Sequence, residues 1–222
     1  MNKKRILVFD TETTGKPKNY KPAEEDINNY PSVVQFGAQL IEVDIDNVND
    51  TKILYAFQSY VKPERNGKLI TIEKEAQAIH NISIEDCWKG DDIWNIALLF
   101  QGLCNSAEFI VCHNYTFDRN VMVSELLRLG IRPKYARGCK VFCTMKYSTD
   151  IMQLPSTYPN QFKFPKLEQL FKYTTGVDMN DMFKAHDALE DTQATTIALL
   201  KLIEQQPELA KWFKGEIESI YK

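Results

Sequence analysis

Four consecutive apolar residues, Ile6 to Phe9, are followed at once by Asp10, Thr11, Glu12, Thr13 and Thr14. A short apolar run without polar alternation reads as a fully buried strand. Side chains at i and i+2 of a strand share a face, so Asp10 and Glu12 project together from its end. Two like charges side by side in a low dielectric repel, and each is costly to bury unpaired. A divalent metal ion is the simplest counter-charge. The alternative is that the strand has already ended and both acids are solvated turn residues, since turns are rich in Asp and Thr.

The rest of the chain narrows the class. Its 222 residues, 44% hydrophobic and 26% charged, suit one domain over 1–222 with a sizeable core. The basic start and short apolar run do not make a signal peptide, and no stretch has the length of a membrane span. A cytoplasmic location without membrane contact is the default expectation. The five cysteines form no Cys-x-x-Cys pair and read as reduced packing residues. A net charge of −3 excludes a non-specific duplex coat, but not a nucleic-acid enzyme with local positive charge.

Residues 32–44 and 52–63 read as strands joined by a turn at 46–50, so the first three strands form a meander. Helices are expected over 71–79, with Thr71 as cap, and over 91–105, 116–130, 166–176 and 187–206. Pro207 opens a last helix. Strands are expected at 108–113 and 140–145, and a polar loop at 16–31. Strands first, then helices alternating with strands, give α/β with a mixed sheet.

Further acids fall at helix starts. Asp118, in "HNYTFDRN", follows a buried strand and on its own is a helix-start acid that suits the dipole. Asp191 lies in the first turns of the helix opened by "HDALEDTQAT", with Asp187 as N-cap and His186 at the entrance. Taken in order, "FDTETTG", "HNYTFD" and "HDALEDTQAT" resemble the three motifs of the DEDDh 3′→5′ exonucleases, a family that includes proofreading subunits of bacterial polymerases and RNase T-like enzymes. The resemblance extends to "PSVVQFGAQ", "AIHNIS" and "FPKLEQLFKYTTG", over nearly all of 5–203. It implies an RNase H-like fold with a five-stranded mixed sheet. It places metal ligands on Asp10, Glu12, Asp118 and Asp191 and the catalytic histidine on His186. Cys143 and Thr144 stand where many relatives have Asp-Thr.

The chemistry fits these residue types. Phosphodiester hydrolysis needs an activated water, charge relief on the phosphate and help for the leaving oxygen, which two divalent ions can supply. Mg²⁺, or Mn²⁺, prefers oxygen ligands. His186 can accept the water's proton near neutrality. By the resemblance, Ile79 and His80 lie beside the 3′-terminal nucleotide, Thr13 and Thr14 bring backbone amides to it, and Asn114 and Phe117 shape the pocket. His113 reads as a structural polar residue. Arg128, Arg132, Lys134, Arg137 and Lys140 form a loose basic run, either a solvated loop or a phosphate contact.

The expected function is metal-dependent 3′→5′ exonucleolysis of single-stranded nucleic acid, DNA first, releasing nucleoside 5′-monophosphates. An RNA-trimming exoribonuclease is the alternative within the class, because the sequence carries no reader of the 2′-OH. A non-catalytic nucleic-acid-binding module or polymerase-docking module is the alternative outside it. A DNA polymerase is a candidate partner, and oligomeric state is left open.

Overall fold

A computed structural model describes residues 2–65, 67–133 and 139–221. The chain opens with β1 (Lys3–Thr13), β2 (Val33–Asp44) and β3 (Asn47–Tyr60). A small hairpin of β4 (Glu64–Arg65) and β5 (Lys68–Leu69) follows. Then come α1 (Lys74–His80), α2 (Ile84–Cys87), α3 (Ile93–Ser106), β6 (Phe109–Cys112) and α4 (Tyr115–Arg128). The remainder is β7 (Lys140–Cys143), α5 (Thr144–Met152), α6 (Leu167–Thr175), α7 (Ala188–Gln205) and α8 (Pro207–Lys214).

The main sheet has five strands in the order β3-β2-β1-β6-β7. β1 to β3 pair antiparallel, whereas β6 and β7 join parallel. This is the expected mixed sheet of an RNase H-like fold, flanked by helices. Residue parity along β1 explains why its apolar run is continuous. Leu7 and Phe9 pack with Phe36, Phe100 and Met122 under α3 and α4. Ile6 and Val8 pack with Phe109, Leu199, Leu202 and Phe213 under α7 and α8. Both faces are covered, so no residue of the run is free to be polar.

The expected boundaries shift where local chemistry differs. The meander turn lies one step earlier than 46–50, because Asp44 already pairs with Asn47 and Ile45 and Asp46 alone make the bend. Glu73, rather than Thr71, is the N-cap position of α1. The strand expected over 140–145 turns into α5 at Thr144, with the Cys143 sulfur accepting the Lys146 amide as its cap. The single turn α2 is held by a Ser83–Asp86 capping box. Arg128 is a structural cation: it pairs with buried Glu125 and donates to the Tyr30 carbonyl. Lys134, Tyr135 and Arg137 lie outside the described residues. No disulfide joins any of the five cysteines, all of which lie among the described residues. No helix among the described residues is long and apolar enough to cross a membrane.

Candidate active site

β1 runs through to Thr13, so Asp10 and Glu12 are strand residues and not turn residues. They continue the Ile6–Val8 row and therefore face α7. Thr11, on the opposite face, meets α4. Its amide and hydroxyl both donate to Oδ1 of Asp118, at 3.2 and 2.7 Å. One oxygen of the Asp118 carboxylate is thus anchored to β1.

Asp191 arrives through an unusually close contact. Gly37 of β2 is paired with Asp10, and a Cβ on it would lie 2.3 Å from the carbonyl carbon and oxygen of Ala188. The missing side chain lets the first turn of α7 sit directly on the sheet. Polar groups then fix it. The Gln35 side-chain carbonyl accepts from the Ala188 amide at 2.9 Å, and its amide donates to Asp187 at 3.1 Å. Gln58 donates to Asp187 at 2.7 Å, and Thr192 donates to the Gly37 carbonyl at 3.3 Å. Asp187 also caps α7 by accepting the Glu190 amide. His186 therefore turns into the helix with φ +65, in the left-handed region. Its main-chain amide donates to Asp191 Oδ2 at 3.1 Å.

These elements converge on a cleft of about 400 Å³ bordered by Asp10, Glu12, Asp118, His186 and Asp191. One ligand atom each from Glu12, His186 and Asp191 lies within 4.8 Å of the others, as a metal-holding group would. Asp10 and Asp118 border the cleft without joining that triplet. Burial is the main force on the acids. It holds Asp10 well above the carboxylate range, with Asp118, Asp191 and Glu12 adding repulsion. It pushes Glu12 to about 9, again with help from Asp191 and Asp118. Asp118 and Asp191 rise to about 7 by burial, against the lowering effect of their hydrogen bonds to Thr11 and His186. Such crowding is unfavourable without a cation, and an all-oxygen acid set suits a hard divalent one. Burial lowers the pKa of His186, favouring neutral imidazole.

A second cavity of about 280 Å³ adjoins the first and shares Thr11, Glu12 and Phe117 with it. Thr13, Ile79 and His80 also border it. Ile79 is 49% exposed, whereas His80 is 5% exposed and pinned. His80 Nδ1 accepts the Ile82 amide at 2.9 Å, so the Nε2 proton goes to the Thr13 carbonyl at 3.1 Å. Thr14 departs from expectation. It borders neither cavity, and its amide donates to the Ser32 carbonyl at 2.8 Å. Asn114 borders the acid cleft and starts α4 from φ +82. His113 is structural: its ring bonds the Thr144 hydroxyl and the Pro165 carbonyl at 2.9 and 3.0 Å.

Sequence reasoning passed over Thr11, Gln35, Gly37, Gln58 and Asp187's grip on β2 and β3. Two of these carried signals. Thr11 sits between two same-face acids and must face the other side, and a glycine inside an apolar strand marks close backbone approach.

The family model RNase_T, described as Exonuclease, matches residues 7–199. No curated protein matches the chain. Among solved structures, E. coli Exonuclease I in complex with a dA16 oligonucleotide is similar at a TM-score of 0.67 and 20% identity. That match covers 94% of this chain but 42% of the other, so this chain spans less than half the length of Exonuclease I. Exonuclease X in complex with 5′ overhanging duplex DNA aligns at 0.56 and 21%, covering 95% and 99% of the two chains. Cell-death related nuclease 4 (CRN-4) aligns at 0.61 and 20%, covering 91% and 64%.

Proposed function

The chain belongs to the exonuclease family whose model spans residues 7–199, and on that premise we propose that it is a DEDDh-type, metal-dependent 3′→5′ exonuclease in a single domain over 1–222. It removes nucleoside 5′-monophosphates from the 3′ end of a single strand. The observation that carries the proposal is the convergence of Asp10, Glu12, Asp118, His186 and Asp191 on one cleft. DNA is the favoured substrate, because the Exonuclease I and Exonuclease X structures hold DNA. A polymerase partner has no support among these relatives.

Asp10, Glu12, Asp118 and Asp191 would hold two Mg²⁺ or Mn²⁺ ions. When bound, these supply charge relief on the phosphate and a more acidic attacking water. Thr11 fixes one oxygen of Asp118 and the His186 amide fixes one oxygen of Asp191, so both carboxylates are aimed before any ion arrives. The His186 ring, kept neutral by burial, accepts the water's proton. Ile79, Phe117 and the neighbouring cavity receive the terminal base, with Thr13 at its edge. His80 holds the Thr13 carbonyl in place.

Oligonucleotides of DNA and of RNA, labelled at either end, test this directly in Mg²⁺, Mn²⁺ and excess EDTA. A 5′ label should give a descending ladder and a 3′ label an immediate mononucleotide, with no product in EDTA. Cutting of a circular single strand at a comparable rate, or activity that persists in EDTA, rejects the reading.

A further inference from the structure

The segment joining α5 to α6 closes on itself, with the Lys163 amide donating to the Leu154 carbonyl at 3.0 Å. It encloses a cavity of about 650 Å³ whose lining includes Tyr158, Phe162, Lys163 and Phe164. The three rings are 71%, 44% and 55% exposed. Large rings left in water forgo the burial that would stabilise the fold, and a cluster of them in one loop marks a contact surface. Phe164 also borders the acid cleft, beside Phe117 and Pro165. The two spaces therefore share a wall. No acid lines the loop cavity, and Lys166 stands on the cleft side of Phe164.

We propose that this loop is a stacking platform for the single strand, receiving nucleotides 5′ of the scissile phosphate on Tyr158, Phe162 and Phe164. The inference rests on the nucleic-acid part of the function proposed above. A strand with its terminal nucleotide at the acids has to leave the cleft over one of its walls, and the Phe164 wall opens onto these rings. Every base has a face that stacks on an aromatic ring, so the platform is indifferent to sequence. Lys163, which lines the loop cavity, supplies charge for the phosphates between the stacked bases. Continuity with the acid cleft and the lysine-bearing, acid-free lining select a polyanionic strand over an apolar partner.

The test compares Tyr158→Ala and Phe162→Leu with wild type on thymidine dinucleotide and octanucleotide, and on the matching uridine oligonucleotides. Equilibrium binding of the octanucleotides in EDTA is measured alongside. Each substitution should raise KM and Kd for an octanucleotide about tenfold with kcat unchanged. The dinucleotide ends at the Phe164 wall, short of Tyr158 and Phe162, and should be turned over as by wild type. That pattern with either sugar supports the platform, and the two arms show which polymer uses it. KM and Kd unchanged by both substitutions on both octanucleotides overturns it. Wild type that hydrolyses normally with such unchanged values removes the platform alone. Wild type that hydrolyses nothing, yet binds octanucleotides in this ring-dependent way, removes the catalytic reading and leaves the platform.

Discussion

The main-chain amide of His186 donates to Asp191 Oδ2 at 3.1 Å, and the same histidine's ring comes within 4.8 Å of ligand atoms on Glu12 and Asp191. One residue thus holds an acid with its backbone and faces the cleft with its side chain. The backbone task requires φ +65, which asparagine tolerates and β-branched residues do not.

The two tasks should separate by substitution. His186→Asn keeps the turn and loses the base, so kcat should fall roughly 10²–10⁴-fold with little change in melting temperature. The rising limb of the rate–pH profile, due to loss of the imidazole proton, should vanish with it. His186→Val should lose at least about 1 kcal/mol of stability as well. Equal melting temperatures for Asn and Val, or an unchanged pH profile in His186→Asn, would contradict this division.

The acids make the metal-free protein pH-sensitive in a defined direction. Glu12 titrates near 9 and Asp118 and Asp191 near 7 in the fold, against about 4 in the unfolded chain. Between those values the folded chain binds more protons, so this contribution to stability declines as pH rises. In EDTA, Asp10→Asn should therefore melt higher than wild type at pH 8, with a smaller advantage at pH 5. Mg²⁺ or Mn²⁺ should raise the wild-type melting temperature most at pH 8 and raise the variant's much less. Activity of Asp10→Asn should fall by orders of magnitude.

His113 works in the opposite direction. Burial lowers its pKa to about 4, below the unfolded value near 6.5. The unfolded chain then binds more protons between those values, so the stability tied to neutral His113 is complete above pH 6.5 and lost as pH falls towards 4. The window is worth up to about 3 kcal/mol. Denaturant unfolding of wild type and His113→Gln should converge by that order as pH falls from 7 to 4. Parallel curves across the range would contradict the assignment.

Thr11→Val keeps the shape of β1 and removes the 2.7 Å bond to Asp118. Loss of such an outer partner typically weakens metal affinity about 10–100-fold. Activity should be regained at raised Mg²⁺, with kcat at saturation close to wild type. A defect that metal titration leaves untouched would place Thr11 outside metal positioning.

Gly37→Ala puts a methyl group where the Ala188 backbone lies 2.3 Å away. Overpacking of this kind costs about 1–3 kcal/mol and would push the start of α7 off the sheet. Stability and activity should fall together. Retained activity would show that α7 can be lifted without moving Asp191.

What was legible in the sequence follows period and punctuation. The two-faced burial of Ile6–Phe9 and the Asp187 cap each depend on a few adjacent residues, and both are found where the sequence puts them. α5 was missed because β7 passes into it without a turn residue, and Cys143 is a weak signal for a cap. β4 and β5 are two-residue strands, too short for any alternation to register. In the site, the acids and His186 were visible through their motif positions. The groups that hold them were not, because Gln35 and Gln58 reach Asp187 across more than a hundred residues of sequence. The bond made by the Thr14 amide is hidden for a similar reason, since its partner Ser32 lies eighteen residues away along the loop.

The acids are also spread along the chain: Asp10 and Glu12 on β1, Asp118 on α4 and Asp191 on α7. A ribosome builds them in that order, and Asp191 comes last, with the first turn of α7. Until then a growing polypeptide carries three of the four acids and an unfinished cleft. On the function proposed above, the order of the elements delays a complete acid set until α7 has docked on the sheet.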